Sequence, residues 1–317
     1  MNNPVFSIIT PTNKRPELLK RAVRSVLEQS FESFELIIVD DANDPDVSLV
    51  VQQSGDSRVR LISHARNMGA AAAYNTGIRA STGPFISFLG DDDEYYPLFL
   101  EKTNDFFETA YPDIGFIWTG VKIITDAGEG EVSSYDRLWP SVIAPQEDAY
   151  IEATTIGNGF GMTMRRECLS ITGLYNESFR VCVDTDLLFK LAQRFSFATI
   201  PEVLVKIYQH RAPQLTGMSN SGLRLETHEK ILNENIDFVC RYPRLFRMHF
   251  EHLVRLSYSL KRKQKGRQLT MKLIKREPCR ALQLMADLVC YEMANENSKT
   301  IQERLLRFVK KTIRRGC

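Results

Sequence analysis

Residues 84–93 read Pro84-Phe-Ile-Ser-Phe-Leu-Gly-Asp-Asp-Asp93, a short apolar run that ends in three consecutive carboxylates. The apolar part predicts a buried strand running into Gly90 and the acids. The same shape occurs twice upstream. Val5-Phe-Ser-Ile-Ile-Thr10 predicts a strand followed by the loop Pro11-Thr-Asn-Lys-Arg15, and Phe34-Glu-Leu-Ile-Ile-Val39 predicts one ending in Asp40-Asp41. Arg58-Val-Arg-Leu-Ile62 predicts a shorter fourth. Between them Leu18, Leu19, Ala22, Val23, Val26 and Leu27 recur at helical spacing. Gly69 to Ala80 predicts a second helix, whose four consecutive alanines allow close packing on a sheet. Continuously apolar strands alternating with helices predict a parallel sheet covered on both faces. Such sheets bind ligands at the carboxyl ends of their strands. Three of those ends carry polar sets: Thr10-Pro-Thr-Asn13, Asp40-Asp41 and Asp91-Asp92-Asp93. Aspartate is common in turns on its own account. Two acidic clusters at the ends of strongly apolar strands nevertheless point to a ligand site.

Further along, Ile114 to Ile124 predicts a strand pair or one long strand, and Asp126 to Ile156 shows few periodic runs. Gly157-Asn-Gly-Phe-Gly161 invites a dinucleotide-loop reading. It does not follow the first strand, however, and Met162-Thr-Met-Arg-Arg166 reads as extended, which disfavours a Rossmann oxidoreductase. No Walker-A sequence occurs. Leu187, Leu188, Leu191 and Ala192 predict a helix from Asp184 to Arg194, with Asp184 and Asp186 in its opening turn. Carboxylates there are favoured by the helix dipole whatever else they do. Pro201 to Tyr208 predicts a strand leading into Gln209-His-Arg211, and Pro213 to Gly222 a linker. Everything beyond reads as helical.

The 317 residues are 43% hydrophobic and 25% charged, which excludes global disorder and provides ample material for a core. No apolar run approaches 18 residues, and Met1-Asn2-Asn3-Pro4 lacks the shape of a secretory signal, so a cytoplasmic setting is expected. The net charge of +2 conceals a split. Residues 1–200 carry 17 Lys and Arg against 28 Asp and Glu, and residues 201–317 carry 24 against 11. The six cysteines (168, 182, 240, 279, 290, 317) form no C-x-x-C pair and no zinc spacing with His, so reduced thiols are expected.

Several of these segments together resemble glycosyltransferase family 2, over roughly residues 4–215. Ser7-Ile-Ile-Thr-Pro-Thr-Asn-Lys14 is similar to the family's opening strand and nucleotide loop. Ser25-Val-Leu-Glu-Gln-Ser-Phe31 resembles its S-[VI]-L-x-Q-[ST]-[FY] helix end, and Phe34 to Asp41 its second strand with paired acids. Asn67-Met-Gly-Ala-Ala-Ala-Ala-Tyr-Asn-Thr-Gly77 is similar to its N-x-G-x-x-x-A-x-N-x-G helix. Phe88 to Pro97 fills the place of its F-L-D-x-D-D-x-x-x-P metal motif, with Gly90 where the family usually has Asp.

The resemblance implies the GT-A nucleotide-diphospho-sugar transferase fold: α/β, with a Rossmann-like, mostly parallel central sheet in a catalytic domain at 1–217. A basic all-α region would follow at 218–317. It also implies an inverting transfer from a nucleotide sugar, a UDP-sugar by family habit, to a glycan or lipid-linked acceptor in bacterial surface polysaccharide synthesis. Thr10, Pro11, Thr12, Asp41 and Asp91 would bind the nucleotide. Asp92, Asp93 and His210 would hold Mn²⁺ or Mg²⁺, which stabilises charge on the departing diphosphate. Val183-Asp-Thr-Asp-Leu-Leu-Phe-Lys-Leu-Ala192 is similar to the family's E-D-x-[DE]-L helix start, with Val183 in place of Glu. Asp184 would be the general base of a single displacement, and Asp186 a cap or local partner. Arg66 and Arg211 are further candidates for phosphate contact.

Two other readings compete with this one. A sugar-phosphate nucleotidyltransferase would show a G-x-G-T-R loop after the first strand, where this chain has Thr10-Pro-Thr-Asn-Lys14. A degenerate, non-catalytic transferase domain kept as a scaffold is suggested by Gly90 and Val183. The tail carries the cluster Lys261-Arg-Lys-Gln-Lys-Gly-Arg267 and a final apolar stripe, Ile301, Leu305, Leu306, Val309 and Ile313, flanked by cations. That pattern suits an anionic inner-membrane surface, a partner, or packing on the catalytic domain. No motif accompanies the charge to suggest nucleic acid.

Overall fold

A computed structural model of the chain describes residues 3–128, 131–139, 147–157, 159–209 and 220–280. The chain divides into two compact units, Met1–Gln214 and Leu215–Cys317.

The first unit is built on one mixed sheet. β1 (Phe6–Thr12), α1 (Pro16–Leu27), β2 (Phe34–Asp40), α2 (Pro45–Ser54), β3 (Val59–Ser63), α3 (Ala70–Ala80) and β4 (Phe85–Phe88) form its regular half. β5 (Glu94–Tyr95), α4 (Phe99–Thr109), β6 (Ile114–Gly128), β7 (Glu131–Arg137), α5 (Glu147–Ala153), β8 (Thr163–Arg165), α6 (Cys168–Thr172), α7 (Val183–Ala192) and β9 (Ser196–Gln209) follow. The spatial order is β3-β2-β1-β4-β8-β6-β9-β5, with β7 added to β6. β1 to β4 pair in parallel, so the carboxyl ends of β1, β2 and β4 share one edge. β8 runs antiparallel between β4 and β6, and β6 and β9 are parallel to each other.

The elements form for simple reasons. Every residue of β2 is buried, as expected of a strand covered on both faces. Pro16 opens α1, and Leu19, Ala22, Val23 and Val26 make its buried stripe. In α3 the buried Ala71, Ala72 and Ala73 let the helix lie close to the sheet. At Gly77 a methyl group would come within 2.5 Å of Ile9 Cγ2, so that glycine is a packing requirement. α2 was not anticipated. Its end signals are clear, with Asp44 capping the Asp46 N–H, Pro45 in the first turn and Gly55 in the left-handed region, but only Val47 and Val50 are buried.

The second unit is helical over its described residues: α8 (Ser221–Glu234), α9 (Ile236–Arg241), α10 (Pro243–Ser259) and α11 (Lys263–Arg276). Leu225, Ile231, Leu245, Phe250, Leu253, Leu269 and Leu273 are buried in it. No helix among the described residues is long and apolar enough to cross a membrane.

Candidate active site

The sheet brings the segments at the ends of β1 and β4 into direct contact. The Thr12 hydroxyl donates to Asp91 Oδ2 at 2.8 Å across 79 residues of sequence. Arg15, which precedes α1, sets one guanidinium nitrogen 3.2 Å from Asp91 Oδ1 and 3.1 Å from Asp92 Oδ2. Lys14, immediately before it, adopts a left-handed backbone (φ 56°), a conformation that costs energy for a residue with a side chain. Arg21 on α1 donates to the Asp92 carbonyl at 2.6 Å, pairs with Glu94 at 3.0 Å and stacks over Tyr208 at 3.6 Å. Burial, and then the neighbouring Asp92 charge, push the Asp91 carboxyl above its ordinary range despite Arg15 and Thr12.

The end of β2 joins the same edge, because the Asp41 N–H donates to the Thr12 carbonyl at 2.9 Å. The two members of the acidic pair then part company. Asp40 serves the turn, accepting from the N–H groups of Ala42 and Asp44. Asp41 accepts from Met68 N–H at 2.7 Å and Gly69 N–H at 2.8 Å, at the start of α3, and its Oδ1 lies 2.7 Å from His64 Nδ1. Thr10 is buried beside them, and its hydroxyl has no hydrogen-bond partner among the described residues. Pro11 lies within β1, opposite Val39.

Asp93 turns away from Arg15. One of its oxygens accepts the Tyr208 N–H at 3.1 Å, and burial followed by the Asp92 charge pushes its carboxyl well above the usual range. The glycine at position 90 is explained by these acids. A Cβ there would lie 2.7 Å from Asp93 Oδ2 and 3.0 Å from Asp92 Oδ1.

The loop around Gly157–Gly161 links the acids to Asp184. A Cβ at Gly159 would lie 3.2 Å from Asp93 Oδ2, and one at Gly157 would lie 3.2 Å from Asp184 Oδ2. Gly161 has φ +67°, and an added Cβ there would run into the Thr119 hydroxyl. Asp184 is half-buried in the first turn of α7, and its Oδ1 accepts the Thr185 N–H at 2.9 Å. Cys182, just before α7, is held at φ 56° and ψ 29°. Strain of this kind costs of order 1–3 kcal/mol and collects where geometry is functional. Asp186 is buried and bound by Lys190 at 2.6 Å, the local partnership expected for it.

Thr10, Pro11, Thr12, Asp41, Asp91, Asp92 and Asp93 thus gather at one sheet edge, and Asp184 abuts the same glycine loop. Arg66 is exposed. His210 and Arg211 lie outside the described residues. Sequence reasoning missed Arg15, Arg21, His64 and Glu94, whose roles depend on contacts between distant segments.

The acids also suit a hard cation. Asp91 and Asp92 supply carboxylate oxygens whose mutual repulsion a cation would relieve. Among the described residues no three His, Cys, Asp or Glu side chains converge on one point. Two carboxylates are nevertheless enough for Mg²⁺ or Mn²⁺ when substrate phosphates complete the shell.

The family model described as "Glycosyl transferase family 2" matches residues 7–169. An "Uncharacterized glycosyltransferase" of Haemophilus influenzae is 32% identical over 193 residues, 61% of this chain and 64% of that protein. The "UDP-Glc:alpha-D-GlcNAc-diphosphoundecaprenol beta-1,3-glucosyltransferase WfgD" of Escherichia coli is 33% identical over 150 residues, 47% of this chain and 55% of that protein. The chain spans from one-third to just under two-thirds of the length of the first curated relatives it matches. Among solved structures, S. aureus TarS 1-349 in complex with UDP-GlcNAc superposes with a TM-score of 0.63 at 16% identity, covering 98% of this chain and 92% of that one. That likeness speaks for a shared fold.

Proposed function

This chain belongs to glycosyltransferase family 2, and from that premise we propose that it transfers a sugar, with inversion, from a nucleoside diphosphate donor to a saccharide or lipid-linked saccharide. One observation carries the reading: the ends of β1, β2 and β4 meet through Thr12, Asp41 and Asp91, and the glycine loop beside Asp93 also flanks Asp184. Thr10, Pro11, Thr12, Asp41 and Asp91 are assigned to the nucleotide. A UDP-sugar is the favoured donor, in keeping with the UDP-GlcNAc bound to TarS and the UDP-Glc named for WfgD. WfgD's named acceptor also motivates the lipid-linked class.

Asp92, with Asp91 beside it, would hold Mn²⁺ or Mg²⁺, and the ion when bound supplies positive charge to the departing diphosphate. Asp93, which the resemblance also assigns to the metal, has one oxygen tied to β9 through the Tyr208 N–H, and its Oδ2 is the oxygen it could add to the ion's shell. Asp184 removes the proton from the acceptor hydroxyl, whose oxygen attacks the anomeric carbon on the face opposite the leaving group. A single carboxylate suffices for that displacement. In the first turn of α7, Asp184 Oδ1 accepts the Thr185 N–H, and the missing side chain of Gly157 leaves room beside its Oδ2.

The basic tail is proposed to bring the enzyme to an anionic membrane surface, where lipid-linked acceptors reside. Residues 220–280 hold 15 Lys and Arg against 6 Asp and Glu. Some of that charge is spent locally, as Glu229 takes Lys265 and Lys272 and Glu226 takes Arg262. The terminal stripe at 301–313 lies outside the described residues.

A thermal-unfolding panel of UDP-, GDP- and dTDP-sugars with Mn²⁺ tests the donor assignment, since a ligand that binds only the folded state raises its apparent stability. The expected result is a rise with one nucleotide class that Asp92→Ala removes. No response to any of them in the intact protein overturns the proposal.

A further inference from the structure

The oxygens assigned to the divalent cation already have a cationic partner supplied by the chain itself. Arg15 bridges Asp91 Oδ1 and Asp92 Oδ2 with a single nitrogen, at 3.2 and 3.1 Å. The cluster is well covered, with side-chain exposures of 25% for Arg15, 9% for Asp91 and 15% for Asp92. In such a place two adjacent carboxylates repel strongly, and one positive charge between them offsets much of that repulsion.

The acids are the fixed side of the pair. Asp91 is held through its other oxygen by Thr12, and the Asp92 backbone is held by Arg21. Arg15 is the adjustable side. It lies at the junction of β1 and α1, behind the left-handed Lys14, and its own side chain makes no capping bond to α1. A guanidinium and a divalent ion cannot both occupy the same carboxylate oxygens at bonding distance. The doubly charged ion is the stronger competitor for hard oxygen donors. Once displaced, a guanidinium needs a new anion, and its planar fork suits phosphate oxygens.

We propose that Arg15 is a resident counter-cation that exchanges places with the donor's metal ion. It offsets part of the negative charge of Asp91 and Asp92, yields them to the divalent cation, and then pairs with the donor diphosphate. The exchange rests on the metal-and-diphosphate reading given above. It goes further by assigning one residue two anionic partners in sequence, and by making metal and nucleotide binding mutually dependent.

The test measures Mn²⁺ binding to the full chain by electron paramagnetic resonance, first alone and then with UDP, for the wild type and for Arg15→Gln, Arg15→Lys and Asp92→Asn. Removing the competitor in Arg15→Gln should tighten Mn²⁺ alone by about tenfold and weaken UDP in the presence of Mn²⁺ by a similar factor. Arg15→Lys keeps the charge without the fork, and both shifts should run the same way at about threefold, which preserves the test if the Gln variant unfolds. Unchanged or weaker Mn²⁺ binding in the Arg15 variants overturns the exchange. Tighter Mn²⁺ with unchanged UDP affinity overturns its diphosphate half. If Asp92→Asn binds Mn²⁺ as well as the wild type does, the metal assignment itself fails, and the exchange fails with it. That outcome is distinguishable from failure of the exchange alone, in which Asp92→Asn loses Mn²⁺ and the Arg15 variants do not gain it.

Discussion

Replacing Gly90 by aspartate would restore the residue that the family's metal motif usually carries, yet the structure says that it should harm this chain. A Cβ at position 90 would stand 2.7 Å from Asp93 Oδ2, against about 3.4 Å for ordinary contact. Asp93 is not free to retreat, because its other oxygen accepts the Tyr208 N–H and its carboxylate is buried. Forcing an extra carbon into a packed site costs about 1–3 kcal/mol. In a unit of this size that corresponds to a drop of roughly 2–12 °C in unfolding temperature. Gly90→Ala isolates the steric part. Gly90→Asp adds a fourth carboxylate to three, and two such charges about 4 Å apart repel by up to about 4 kcal/mol at an effective dielectric constant near 20. Its unfolding temperature should therefore fall below that of Gly90→Ala. Calorimetry or circular dichroism of the two variants, with calorimetric titration of UDP and Mn²⁺, reads both effects. The crowding of Asp92 Oδ1 should also weaken nucleotide binding in Gly90→Ala. Wild-type stability and affinity in both variants would refute the reasoning, because the turn would then be opening at no cost.

Two further outcomes concern pH. Burial pushes the Glu35 carboxyl up, but the Thr82 N–H, the Ser7 and Thr82 hydroxyls and Arg60 together hold it below its ordinary 4.5. Its contribution is therefore present above about pH 4.5 and lost as the pH falls through the depressed value. Glu35→Gln should cost about 1–3 kcal/mol at pH 7, and urea-unfolding curves of the two proteins should converge in acid. A gap of constant size down to pH 3 would show that the charge is not what stabilises. In the helical unit, His228 lies 3.0 Å from His249, with His252 nearby and Arg224 and Arg255 adding positive charge. Burial, then His252 and Arg224, push His228 down to about 3. The folded state thus binds fewer protons than the unfolded one below pH 6.5, and stability declines as the pH falls from there. At pH 5 the loss from His228 alone is about 2 kcal/mol. His228→Gln should flatten the pH dependence of helical-unit unfolding, and an unchanged slope would rule His228 out as its source.

The readable parts of the fold were those buried on both faces. β1, β2 and β4 show continuous apolar runs because helices cover each side, and α3 shows its alanines because it lies close to Ile9. The helical register of α7 and the extended stretch at β8 were legible for similar reasons. β7 left no such trace, since Val132 and Tyr135 are exposed on an added edge strand. The start of β9 was obscured by Pro201. The strand begins at Ser196, and Pro201 and Glu202 are accommodated in an irregularity where the register against β6 shifts between Thr119 and Gly120.

At the site, the acids that terminate strands were visible because a carboxylate after a strongly apolar run is conspicuous. Their division of labour was not. Asp40 and Asp41 are neighbours in sequence, but one closes a turn while the other faces His64 and the start of α3. Arg15 meets Asp91 across 76 residues, a separation that no local spacing encodes.

The most direct test of the transferase assignment follows donor hydrolysis by proton NMR, with water as the acceptor. The donor is the α-linked nucleotide sugar that most raises the unfolding temperature in the presence of Mn²⁺. A single displacement assisted by Asp184 should release the β-anomer first, before mutarotation. Asp184→Asn should reduce turnover at least about 10²-fold while binding UDP as the wild type does. Release of the α-anomer first, undiminished turnover in Asp184→Asn, or no turnover by the wild type would contradict an inverting transferase that uses this base.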